Sequence, residues 1–150
     1  QCPACGVAYP IVEEIKKQYA DKINYVYRHY PLSQHKNAMN AAIAAESAGN
    51  QGKFWEMYSL LFSKQEDWQD ESNPEEKFTE LASQIPLDIE KFKTDYEAKF
   101  NNDKISGDIS DGNALGVNST PTFFINYKKY AKVMNLDEFK KVLDQELSSQ

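Results

Sequence analysis

Cys2 and Cys5, in Cys2-Pro3-Ala4-Cys5, are the only cysteines in a chain of 150 residues. A C-x-x-C pair that opens a helix brings two sulfurs within bonding reach and sets one at the positive end of the helix dipole. Three chemistries share the pattern. A structural zinc needs four ligands, usually from a second C-x-x-C or a spaced pair of histidines. The only histidines here are His29 and His35, in a different stretch, so no metal is expected. A structural disulfide across two intervening residues closes a very small loop and removes little unfolded-state entropy. Thiol–disulfide exchange is the chemistry left with a physical reason: it needs an exposed thiolate and a second thiol to resolve the mixed disulfide. Cys2 precedes the helix and reads as the exposed nucleophile, and Cys5, in the first turn, as the resolving thiol. Pro3 suits that first turn, where its missing N–H costs nothing. Pro3 and Ala4 together tune the pair.

The bulk properties narrow the partners. A net charge of −6, a pI near 5.0 and a single arginine, Arg28, argue against nucleic acid. Nine tyrosines and eight phenylalanines argue against disorder. The length suits one domain with room for an insertion. No apolar run approaches the ~18 residues of a membrane span. The sequence opens one residue before the first cysteine, so targeting information is expected to lie upstream.

The elements that must hold the pair follow from periodicity. Val7, Ile11, Ile15 and Tyr19 recur every four positions and predict an amphipathic helix from Cys5 to about Ala20, kinked at Pro10. Residues 23–27 alternate and are rich in β-formers, which predicts a strand closed by Pro31. Next come an alanine-rich helix from His35 to Gly49 and an aromatic one from Lys53 to Phe62, with Phe54, Trp55, Tyr58, Leu61 and Phe62 as its apolar face. Residues 65–73, polar but holding Trp68, read as a loop or short turn. Further helices are predicted over 74–84, from Leu87 to Phe100, and over 103–115. After Gly116 the period changes: strands are predicted at 122–126 and 130–134 around a turn at Asn126-Tyr127-Lys128, then a closing helix over 136–147. His29 and His35, at a strand end and a helix start, read as structural or solvent-facing. Trp55 and Trp68 read as core or domain-interface residues rather than substrate contacts. Asn118-Ser119-Thr120 matches a glycosylation sequon.

This order resembles the thioredoxin superfamily, in its DsbA-like branch. The residues that carry the resemblance are CPAC at 2–5, YRHYPL at 27–32, HKNAMNAAIAAESAGNQGKFWEMYSLLF at 35–62 and LGVNSTPTFFIN at 115–126. The resemblance covers essentially the whole chain. It implies an α/β, thioredoxin-like fold made of residues 1–34 and 115–150, with an inserted all-helical domain at 35–114. It also implies a cis bond before Pro121, opposite the C-x-x-C, with Thr120 offering backbone groups to an extended peptide. The family has a further strand directly before the C-x-x-C, central between the strands near Ile23 and Thr122. The sequence begins after that position. The strand is expected to be present when the protein folds, with the two flanking strands parallel beside it. The family's hairpin turn reads Asn-Gly. Asn126-Tyr127 stands here instead, and a tyrosine at positive φ is unfavourable, so a longer or different turn is expected.

The implied activity is that of an extracytoplasmic protein-disulfide oxidoreductase (periplasmic, cell-surface or secreted, or anchored through an upstream segment). It would give disulfides to reduced, unfolded secreted proteins and be reoxidised by a membrane-bound redox partner, with no cofactor beyond the dithiol. Pro3-Ala4 lacks the histidine of strongly oxidising members and the Gly-Pro of thioredoxin, which places the expected potential between them, on the oxidising side. The helix-end effect on a thiolate, ~0.3–2 kcal/mol, does not by itself separate an oxidase from a reductase or isomerase. A binding module with an inactive dithiol and a metal carrier using the same pair are the remaining alternatives.

Overall fold

Residues 41–48 are buried one after another, and only a helix at the centre of a bundle has no solvent face. The computed structural model describes residues 1–98 and 102–149. In chain order its elements are α1 (Pro3–Gln18), α2 (Ala38–Gly49), α3 (Phe54–Ser63), α4 (Gln65–Trp68), α5 (Glu75–Ala82), α6 (Ile89–Glu97), α7 (Asn102–Ala114), β1 (Phe123–Ile125), β2 (Lys128–Tyr130) and α8 (Leu136–Ser148). They form two compact units: Gln1 with Arg28–Ala114, and Cys2–Tyr27 with Leu115–Gln150.

The first unit is helical. Alanines along α2 let α3, α5, α6 and α7 approach it closely. Met57, Trp68, Phe78, Phe92 and Ile105 fill the space around it, each at most 2% exposed. Glu46 is buried on the same helix, and a buried charge must be paired. Its Oε1 lies 2.9 Å from His29 Nε2 and its Oε2 accepts from Lys104 Nζ at 2.6 Å. Asp108, also buried, accepts the His29 backbone N–H at 2.9 Å and pairs with Arg28.

The second unit joins α1, the β1–β2 hairpin and α8 around Val12, Ile15, Tyr19, Ile125, Met134, Phe139 and Leu143. The Tyr19 hydroxyl donates to Asp144 at 2.7 Å and ties α1 to α8. A capping box at Asn135 and Glu138 starts α8, each satisfying the other's backbone N–H. Glu146, near the other end of α8, accepts from Asn126 and Lys128 and holds the hairpin.

The structure corrects several expectations. Residues 23–27 form no strand: Ile23 and Tyr25 pack inward and Asn24 and Val26 are exposed, so the alternation survives, but the described residues pair only β1 with β2. A strand is a property of pairing, and period alone does not supply a partner. The second hairpin strand lies at 128–130 rather than 130–134, because Asn126 takes the positive φ (52°) and the turn closes after two residues without straining Tyr127. Residues 65–68, read as loop, are a short helix that buries Trp68. Val7 is 63% exposed, and Ala8 takes its place on the buried face of α1. Trp55, expected on the apolar face of α3, is 42% exposed and so lies outside the core, while Met57 on the same helix is fully buried. Helix α1 continues through Pro10, and α2 starts at Ala38 after two turns rather than at His35. Phe100, the expected end of the helix now described as α6, lies outside the described residues.

Candidate functional site: a dithiol at a helix start

Cys2 is the N-cap residue of α1, in an extended conformation, with Pro3 at the first helical position. Its carbonyl accepts from the N–H groups of Cys5 (3.0 Å) and Gly6 (3.1 Å), which locks the motif into the first turn. No acidic residue occupies that turn, so nothing there opposes a thiolate. Both cysteines are free thiols and partly buried.

The other segment of the site is the turn before β1. The Thr120–Pro121 peptide bond is cis, and the Thr122 hydroxyl donates to Ser119 O at 2.8 Å across the turn. This presents Thr120 to the pair: the Cys2 thiol donates to Thr120 O at 3.4 Å. The Thr120 Oγ1 is buried and has no hydrogen-bond partner beside the neutral thiols. It is therefore a donor held in reserve for a thiolate.

These contacts drive the two sulfurs apart. Burial alone would raise the Cys2 thiol. The Thr120 hydroxyl, the backbone N–H groups of Cys5 and Ala4 and the Cys5 thiol outweigh it and hold Cys2 below the ordinary thiol value. Burial dominates at Cys5, and the neighbouring Cys2 charge adds to it, so that thiol is pushed up to about 12 despite Thr120. The arrangement therefore makes Cys2 the more readily ionised sulfur and keeps Cys5 a thiol, the division of labour that exchange requires.

The structure thus brings Cys2, Cys5 and Thr120 together, with Pro3 and Ala4 forming the first turn and Pro121 following Thr120. His29 is committed to Glu46 and Asp108. No group of three or more histidine, cysteine or acidic side chains suited to a metal occurs among the described residues. The part of the Thr120 hydroxyl was not readable from sequence, because the signal at that position is the following proline and not the side chain.

The thioredoxin family's sequence model matches residues 1–145, and the chain belongs to that family. Oxidised BdbD from Bacillus subtilis superposes with a TM-score of 0.79 at 25% identity, over 98% of this chain and 82% of that one. A thioredoxin-like oxidoreductase from Silicibacter pomeroyi DSS-3 gives 0.78 at 23% identity, over 98% and 81%. The fold is the thioredoxin-like fold in its DsbA-like form. Among curated proteins, a Na(+)/H(+) antiporter NhaA 1 of Mycobacterium sp. (strain KMS) is 37% identical over 135 residues, 87% of this chain. The NhaA 3 antiporter of Salinispora tropica is 36% identical over 138 residues, 91% of this chain. The chain spans about a fifth of the length of these relatives (21% and 20%). No helix among the described residues is long and apolar enough to cross a membrane. Family, fold and dithiol together support thiol–disulfide exchange.

Proposed function

We propose that the protein is an extracytoplasmic thiol:disulfide oxidoreductase that gives its Cys2–Cys5 disulfide to reduced, unfolded secreted proteins. A substrate thiolate attacks the Cys2 sulfur. The Cys2–Cys5 bond breaks, a mixed disulfide forms, and the Cys5 sulfur leaves with the electron pair and takes a proton. A second substrate thiolate then attacks the substrate sulfur of the mixed disulfide. The substrate leaves oxidised and Cys2 is released as a thiolate. Two thiols of the substrate are oxidised as one disulfide of the protein is reduced. A membrane-bound redox partner takes the two electrons back, and no cofactor beyond the dithiol is required.

The observation that carries this reading is the asymmetry of the pair, with Cys2 held down and Cys5 pushed up. A stabilised Cys2 thiolate favours the reduced protein, and so makes its disulfide the better oxidant. Cys2 is the attacked and attacking sulfur, Cys5 resolves, Thr120 stabilises the thiolate and, with Pro121, receives the substrate backbone, while Pro3 and Ala4 set the first turn. Equilibration with glutathione tests the direction. A potential more positive than about −200 mV supports the oxidase, and one near the thioredoxin value of about −270 mV assigns a reductase instead.

A further inference from the structure

Thiol–disulfide exchange uses a sulfur electrophile, but nothing in the attack itself requires one. A thiolate also attacks the oxygen of a hydroperoxide, and the sulfenic acid that forms is rescued when a second thiol condenses with it. The site holds both sulfurs as free thiols. The Cys2 carbonyl accepts the Cys5 and Gly6 N–H groups at 3.0 and 3.1 Å, and this turn keeps the second thiol against the first. The Cys5 thiol is itself among the groups hydrogen-bonded to the Cys2 sulfur. The partner that must close the disulfide is therefore in place before an oxidant arrives.

An oxygen leaving group makes one further demand. Cleavage of the O–O bond delivers an electron pair to the distal oxygen, and a hydrogen-bond donor aimed at that charge lowers the barrier. A departing sulfur needs this less, since sulfur is a weak acceptor. The Thr120 Oγ1 is buried without a hydrogen-bond partner. It lies within reach of both sulfurs, being among the groups that act on the Cys2 and the Cys5 thiols alike. A hydroxyl can turn about its C–O bond from sulfur to oxygen. The Ala4 backbone N–H adds a second donor beside Cys2, and no acidic side chain occupies that turn to repel the charge. Cys2, Cys5 and Thr120 all lie in one compact unit.

We propose that the reduced protein has a second activity at this dithiol, the reduction of small hydroperoxides, in which Cys2 attacks, Cys5 resolves and the Thr120 hydroxyl serves the departing oxygen. The Cys2 thiolate attacks one peroxide oxygen. The O–O bond breaks, and the other oxygen leaves with the electron pair and takes a proton, as water from hydrogen peroxide or as an alcohol from an alkyl hydroperoxide. The Cys5 sulfur then attacks the Cys2 sulfur, the S–O bond breaks, and the hydroxyl leaves as water with the Cys5 proton. Two thiols become one disulfide while the peroxide takes up two electrons and two protons. The product is the disulfide that the proposed transfer to clients consumes, so a hydroperoxide recharges it beside the membrane-bound partner. The activity does not depend on that transfer.

The experiment mixes the reduced full chain with excess hydrogen peroxide, quenches in acid and follows the intact mass. Each rate is divided by that of iodoacetamide alkylation at Cys2 under the same conditions. The ratio removes differences in thiolate content, and iodide accepts no strong hydrogen bond as it leaves. The parent's ratio is expected to exceed that of glutathione by roughly tenfold to hundredfold. Thr120→Val should lower it towards the glutathione value, and Thr120→Ser, which keeps the hydroxyl, should not. Should the valine variant not fold, Thr120→Ala carries the same test. In Cys5→Ala the oxidation should stop at a sulfenic acid on Cys2, captured by dimedone. A parent ratio equal to that of glutathione overturns the proposal, and so does a ratio that Thr120→Val leaves unchanged. Client oxidation is not in the readout, so a protein that consumes peroxide yet oxidises no client defeats the proposed function and leaves this activity standing.

Discussion

The Cys2 thiol donates to the backbone carbonyl of Thr120 at 3.4 Å, while the Thr120 hydroxyl lies buried without a partner of its own. One residue therefore offers an acceptor to the thiol and a donor to the thiolate. The hydroxyl is among the groups that lower the Cys2 titration.

Thr120→Val tests that contribution. Valine keeps the shape and removes the hydroxyl, so the Cys2 titration should rise, with alkylation at pH 7 slowed by up to about tenfold for one pKa unit. The disulfide should become less oxidising, by up to about 30 mV. Stability should hold or improve, since a buried hydroxyl without a partner has been removed.

The two cysteines should fail in different ways. Cys2→Ser should abolish both oxidation of dithiols and reduction of disulfides. Cys5→Ala should leave Cys2 able to attack and unable to be resolved, so mixed disulfides with client proteins accumulate on non-reducing gels. Trapping by Cys2→Ala and not by Cys5→Ala would reverse the assigned roles.

The stability of the reduced protein should depend on pH through Cys2. Its folded-state value lies below the ordinary 9.0, so the folded state releases this proton first. The resulting stabilisation is complete above 9.0 and is lost as pH falls through the folded value. Cys5 acts in the opposite sense: its folded value of about 12 makes the reduced protein lose stability as pH rises from 9.0 towards 12. The melting temperature of the reduced form, relative to the oxidised form, should therefore climb with pH towards 9 and decline beyond it.

Glu46 predicts an acid limit in the helical unit. Burial pushes its carboxyl up, but His29 and Lys104 outweigh that and hold it below the ordinary 4.5. Its contribution is present above 4.5 and is lost as pH falls through the lower folded value. Glu46→Gln should flatten the acid branch of the unfolding curve below 4.5. Glu46→Ala, which leaves the buried His29 ring without this partner while the exposed Lys104 turns to water, should cost about 1–3 kcal/mol by urea denaturation.

What was legible in the sequence was what is local. The period of Phe139, Val142 and Leu143 located α8, and Cys2-Pro3-Ala4-Cys5 the reacting atoms. Features that depend on distant partners were not. Residues 23–27 kept their alternation without a strand, because pairing is supplied by another segment. Gln65–Trp68 became a helix because Trp68 is drawn into the core of the helical unit, where its indole N–H donates to Leu61 O.

The central claim is that the Cys2–Cys5 disulfide passes to a substrate dithiol. The most direct test mixes the oxidised protein with one equivalent of a reduced, unfolded dithiol protein and follows both intact masses under an acid quench. The account predicts that the substrate loses two hydrogen atoms as this protein gains them, through a transient adduct at Cys2. A disulfide that persists while the substrate stays reduced, over the time in which a known oxidase completes the transfer, would contradict it.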